Sequence, residues 1–143
     1  MPGKANIATR AVTKDRRGSR PEPSVVRGSP SDEKRETTTI VLRIASDRAA
    51  HFEAMFGDEE IPLWDDFTNR GRFLEARLVR ANGGSEQRGG IQDYILFVVA
   101  ADHEAHEEHD RDPRFRAFLE KAERLQPEPP LVWYGDTIVE RRS

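Results

Sequence analysis

Residues 103–112 read HEAHEEHDRD, a run in which three histidines and several carboxylates recur at helical spacing. On a helix His103 and Glu107 lie one turn apart, His106 and Asp110 likewise, and His106 and His109 stand at i, i+3. Two such groups on one face have the spacing to chelate a metal. The same arrangement gives a carboxylate-oriented imidazole that can act as a general base. The plainer reading is a solvated helical face, because the run is almost wholly polar and carries no apolar stripe. No metal ligand is assigned from this spacing.

A second set is Arg43, Glu75 and Arg77. If their segments are strands, alternation directs all three away from the face that bears Ile40, Leu42 and Leu74. Charges on a buried face must be paired, since an isolated buried charge is very costly. Either Glu75 neutralises one arginine, or an arginine is left to hold a carboxylate or phenolate ligand. A third set is aromatic: Trp64, Phe67, Tyr94, Trp133 and Tyr134. Such rings wall apolar pockets and orient planar molecules, but more often they are core. Trp64 and Trp133 are preferred as ligand contacts because the indole N–H is a polar handle, and Tyr94 joins them. The chain has no cysteine, no phosphate-cradling glycine loop and no serine-nucleophile motif.

The elements that must position these residues follow from periodicity. Residues 37–45, TTTIVLRIA, are β-branched and alternate, which predicts a first strand. Ser46 is an expected N-cap, with Asp47 in the first turn. Ala49, Phe52, Met55 and Phe56 then give an amphipathic helix ending near Gly57. Residues 58–60 read as an acidic turn, and Pro62 opens a second helical piece over 63–69. Gly71 is a break, residues 73–81 a second strand, 82–90 a glycine-rich hairpin loop. Residues 91–101 are apolar on both faces and belong in the centre of a sheet. Residues 102–126 are helical in two parts, restarted by Asp112-Pro113, and the second part carries the stripe Phe115, Phe118, Leu119, Ala122, Leu125. Prolines 127, 129 and 130 stop it, and residues 131–134 and 137–139 form a last strand bent at Gly135.

The order β-α-β-β-α-β predicts an α+β, ferredoxin-like antiparallel sheet with both helical layers on one face. The other face carries Val41, Val79 and half of the third strand, and the chain has nothing left to cover it. A second copy would, so a homodimer with two sheets face to face is expected.

The stretch EAHEEHDRDPRF, 104–115, resembles the dimeric α+β barrel superfamily, in particular domains similar to antibiotic-biosynthesis monooxygenases. Glu104, Ala105, His109, Pro113 and Phe115 match the pattern, and Arg114 stands where such domains often carry a second histidine. The resemblance spans residues 37–139. It implies a ligand site between the sheets or between sheet and helices. It also implies a small-molecule-binding homodimer, with a cofactor-independent, monooxygenase-like activity on an aromatic or polyketide-like substrate. His109 is favoured because it falls on the pattern, so His109, His106 and Asp110 become the candidate catalytic residues. Arg43, Glu75, Arg77, Trp64, Tyr94 and Trp133 are the candidate ligand contacts. Two other readings are a non-enzymatic dimerisation module and a metal- or haem-binding protein using the histidine-rich helix.

Charge divides the 143 residues in two. Residues 1–36 hold nine Lys/Arg against five Asp/Glu, and the remainder 14 against 21, giving +4 and −7. The first segment has few large apolar groups and no aromatics, which predicts a disordered arm preceding a domain at 37–143. An acidic domain is a poor partner for nucleic acid. No apolar run approaches a membrane span, and no secretory core is evident, so a cytoplasmic protein without a membrane partner is expected.

Overall fold

The computed structural model describes residues 34–86 and 88–143. The expected arm therefore lies outside the described residues, apart from its last three. One of these, Glu36, already belongs to the first strand.

Strand β1 runs Glu36–Ala45. A 3-10 turn, Ser46–Arg48, leads into α1, Ala49–Met55, and a π turn, Phe56–Glu60, joins it to α2, Ile61–Asn69. Then come β2 (Phe73–Arg80), β3 (Ile91–Ala100), α3 (His103–Arg111), α4 (Pro113–Glu123) and β4 (Leu131–Gly135). The sheet order is β2-β3-β1-β4, with every neighbouring pair antiparallel. This is the expected ferredoxin-like arrangement, and the most apolar strand, β3, is internal.

Three local expectations are corrected. Ser46 is not the cap: the turn begins at Ser46 itself, so Ala45, which has no side-chain acceptor, holds the cap position, and the Ser46 backbone N–H donates to Gly90 O at 2.8 Å. The helix does not end at Gly57. It continues through the wider π turn, which accommodates the missing N–H and the bulky ring of Pro62 just beyond. The turn also points Phe56 and Glu60 inward, where both are buried. Residues 137–139 do not resume the last strand. Thr37 pairs with Gly135, and β1 begins one residue earlier, so the chain past Gly135 has almost no strand left to pair with. Ile138 is 91% exposed.

The helix-facing side of the sheet carries Ile44 and Tyr94, which meet Phe52, Phe56, Leu63, Phe67, Phe118 and Leu125 in the core. Gly71 holds φ +73°, a conformation most side chains avoid, and so turns α2 into β2. A bulge between Phe73 and Glu75 shifts the phase of β2. Phe73 is buried and Ala76 and Leu78 pack on the core, whereas Leu74, expected among the inward residues, is half exposed.

The two parts of the last helical region are capped by aspartates. Asp102 accepts from Ala105 N at 2.8 Å and Asp112 from Arg114 N at 2.8 Å, with Pro113 opening α4. We expect Asp102→Ala to lower stability by about 1 kcal/mol in urea unfolding, and a loss near zero would show that the cap does not hold α3.

Among the described residues, no helix lies on the opposite side of the sheet. Phe97 and Ile95 are half-buried there, and Val79, Leu131 and Trp133 are exposed.

Candidate functional site

The histidines do not form a solvated face. Ala105, His109 and Asp110 are buried on the inner side of α3, and His106 is largely so. His109 sits deepest. Its Nε2 donates to Glu60 Oε2 at 2.6 Å and its Nδ1 to Asp110 Oδ1 at 3.2 Å. The rings of Phe67, Phe73 and Phe115 surround it, with centroids 5.7, 5.3 and 4.4 Å away. Burial opposes charge on His109, but the bonds from Asp110 and Glu60 outweigh it and push its pKa up to about 9. It is therefore an imidazolium at neutral pH, clamped between two buried carboxylates.

His106 has a second carboxylate environment. Its Nδ1 lies 2.9 Å from Glu36 Oε1, with Thr38 Oγ1 at 3.3 Å, and its Nε2 lies 3.4 Å from Asp110 Oδ2. His103 shares Glu36 at 3.2 Å and meets Glu107 at 3.2 Å. Burial works against the Glu36 carboxylate, yet its contacts with His106 and His103 hold it below the usual range. Three elements thus converge: the first residue of β1, the π turn and α3. Among the described residues, no group of three or more His, Asp or Glu side chains is disposed to hold a metal ion.

His109, His106 and Asp110 are brought together as a set. Glu36 and Glu60 were missed, and both left a signal. Glu36 shares the two-residue phase of Ile40, Leu42 and Ile44. Glu60 falls on the helical stripe of Phe56, Leu63 and Phe67, visible only if the helix is continued through the acidic stretch.

The other candidates divide between the two sides of the sheet. Arg43, Glu75, Arg77 and Trp133 lie on the open side. Arg43 bonds Glu128 at 2.9 Å and approaches Glu86 at 3.7 Å. Glu75 pairs with Arg77, whose guanidinium lies 5.0 Å from the Phe97 ring centroid. Trp133 is 57% exposed. Tyr94 and Trp64 are on the helix side. Trp64 packs edge-on against Phe56 at 5.1 Å. The sheet therefore stands between the histidines and both Arg43 and Arg77 within one protomer.

Tyr94 is fully buried except for its hydroxyl partner: it donates to Glu53 Oε2 at 2.6 Å, and Arg80 grips the same carboxylate through two bonds of 2.8 and 2.7 Å. The Arg80 bonds, then the Tyr94 bond, lower the Glu53 pKa to about 2. Burial, then Glu53, raises the Tyr94 pKa to about 12, so the phenol stays protonated and donating. Tyr94→Phe should cost about 1.5–3 kcal/mol, the range for a hydrogen bond to a charged group; chemical denaturation reads it directly.

Leu42, Leu78, Leu96 and Val98 face the helices yet are only partly buried. They form a partly exposed apolar row packed against the core. Val98 stands opposite Thr38, the residue beside His106, so this apolar row ends next to the histidine group. A separate polar hollow of about 240 Å³ at the β2–β3 hairpin, lined by Asn82, Glu86, Arg88 and Gln92, lies at the far end of β3.

No family model and no curated protein matches the chain. Solved structures do. A candidate antibiotic biosynthesis monooxygenase of Caulobacter crescentus is 20% identical, with a TM-score of 0.60, covering 74% of this chain and 92% of its own. Rv0793 of Mycobacterium tuberculosis is 15% identical, with a TM-score of 0.56, covering 76% and 99%. A variant of SnoaB, a cofactor-independent oxygenase of Streptomyces nogalater, is 17% identical, with a TM-score of 0.53, covering 73% and 95%. The chain has the ferredoxin-like α+β fold of antibiotic-biosynthesis-monooxygenase-like domains.

Proposed function

We propose that two copies of this chain pair through their open sheet faces and that each binds a small organic molecule, aromatic or polyketide-like, in the cleft between sheet and helices. The observation that carries the reading is a row of apolar side chains on the helix-facing side that remain partly exposed next to a buried histidine–carboxylate group. Apolar walls with a few convergent polar groups are what small-molecule sites look like.

The chemistry this arrangement favours is proton removal from an acidic C–H of the bound molecule. The group containing His106, His109 and Asp110 handles the proton, and the apolar walls exclude water from the enolate left behind. An electron-rich enolate is what dioxygen would oxidise in a cofactor-independent oxygenase, the activity by which SnoaB is described. Arg43, Arg77 and Trp133 belong, in this reading, to the interior between the two sheets.

The test is titration with hydroxylated anthraquinones and anthrones, followed through methyl resonances. Saturable shifts at Leu42, Leu78, Leu96 and Val98, with Ile95 and Val79 undisturbed, support the cleft. Shifts confined to the open face, or no saturable shift, refute it.

A further inference from the structure

The contacts of the histidines join into one continuous chain. Glu107 Oε2 lies 3.2 Å from His103 Nε2, and His103 Nδ1 lies 3.2 Å from Glu36 Oε2. Glu36 Oε1 is 2.9 Å from His106 Nδ1, and His106 Nε2 is 3.4 Å from Asp110 Oδ2. Asp110 Oδ1 is 3.2 Å from His109 Nδ1, and His109 Nε2 is 2.6 Å from Glu60 Oε2. Imidazole and carboxylate alternate throughout. Each imidazole turns one nitrogen to each neighbour, Asp110 turns one oxygen to each neighbour, and Glu36 reaches His106 through Oε1 while His103 meets both its oxygens, Oε2 at 3.2 Å and Oε1 at 3.3 Å. Charge pairing alone has no need of this division, since any oxygen near an imidazolium satisfies it. Proton conduction does need it, because a relaying group must receive at one atom and release at another.

We propose that Glu107, His103, Glu36, His106, Asp110, His109 and Glu60 form a proton relay, with solvent at its outer end and Glu60 as the inner group that exchanges a proton with a bound molecule.

The proton count is conserved along it. Take all three rings as imidazoliums between bare carboxylates. If each ring yields its inward proton, His109 passes one to Glu60, His106 to Asp110 and His103 to Glu36, while Glu107 stays bare. If each instead yields its outward proton, Asp110, Glu36 and Glu107 are protonated and Glu60 is bare. Passing between these two arrangements moves one proton the length of the chain, with every electron pair accounted for. The two links between residues one turn apart, at 3.4 and 3.2 Å, need a small side-chain rotation to align, since Asp110 Oδ2 and His103 Nε2 are buried without a well-directed hydrogen bond.

Both ends fit the role. Glu107 and His103 have side chains 30% and 29% exposed, so solvent reaches them. Glu60 is only 3% exposed, and its Oε1 is buried with no hydrogen-bond partner among the described residues. An unpartnered buried carboxylate oxygen is costly, and it leaves Glu60 one atom that no neighbour occupies to take up a proton. Only this inner end rests on the proposed ligand cleft; the conduction itself is measurable without ligand, so either reading can fail while the other stands.

The experiment uses the full chain labelled with ¹⁵N-histidine. Solvent exchange of the His109 ring protons is compared with that of the backbone amides of α3. The relay predicts ring exchange faster than those amides, and a fall of about tenfold or more in His106→Gln with the amides unchanged. Ring exchange no faster than the amides in the parent protein, or undiminished in the variant, overturns it. If His106→Gln does not fold, His103→Gln cuts the chain at a half-exposed ring and is read by the same criteria.

Discussion

His109→Ala should destabilise the domain by about 3–5 kcal/mol, because it strips the partner from two buried carboxylates at once. Among the described residues, Glu60 and Asp110 have no other basic side chain within ion-pair distance, apart from His106 at 3.4 Å from Asp110. The rings of Phe67, Phe73 and Phe115 supply no compensating charge. Much of the loss should be recovered in the double variant His109→Ala/Glu60→Gln, which removes one orphaned charge. Urea unfolding of the four proteins gives the coupling, and strictly additive losses would show that the clamp carries no shared energy.

The same clamp sets a pH dependence. His109 titrates near 6.5 when unfolded and about 9 when folded. Its contribution is therefore complete below pH 6.5 and is lost as pH rises through 9. Glu36 runs the other way: its folded value is depressed, so its contribution is present above 4.5 and is lost as pH falls below that. Stability should accordingly decline on both sides of neutrality, and the alkaline decline should vanish in His109→Ala. An alkaline limb unchanged in that variant would assign it to other groups.

The second large effect belongs to the open face. Ile95→Glu should leave the domain folded and the copies apart, with a dimer dissociation constant raised by about a hundredfold or more. Ile95 lies on the sheet side without helices, opposite Val41 and Val79 in the register, and is half-buried in one protomer. A glutamate there meets water in the monomer but would be sealed against its own copy in the dimer. Far-ultraviolet circular dichroism checks the fold, and sedimentation gives the dissociation constant. Unaltered self-association would place the contact elsewhere.

The strands were legible because β1 and β2 alternate with period two and β3 is an apolar run of strand length, and the cap of α4 because Asp112 stands directly before Pro113 and a helical stripe, whereas Asp102 read as part of the helix it caps. The π turn was not. Gly57 followed by three acids reads as a loop from local propensity, and only tertiary packing of Glu60 against His109 makes it helical. The bulge at Leu74 was hidden for a related reason: one inserted residue leaves the apolar pattern of β2 intact in sequence while moving Leu74 outward. The histidine run misled in the opposite sense. It is polar all round, yet its inner face is buried, because carboxylates from β1 and the π turn replace the water that such a face ordinarily needs. Pairings across 49 and 70 positions of sequence, His109 with Glu60 and His106 with Glu36, have no local signature.

That two copies close the open side of the sheet is the claim on which the barrel reading depends. Native mass spectrometry of the freshly purified chain at low micromolar concentration tests it most directly. The account predicts a species of twice the chain mass, with any retained organic molecule showing as added mass. A monomer at every concentration would contradict it, since Trp133, Leu131 and Val79 would then have nothing among the described residues to cover them.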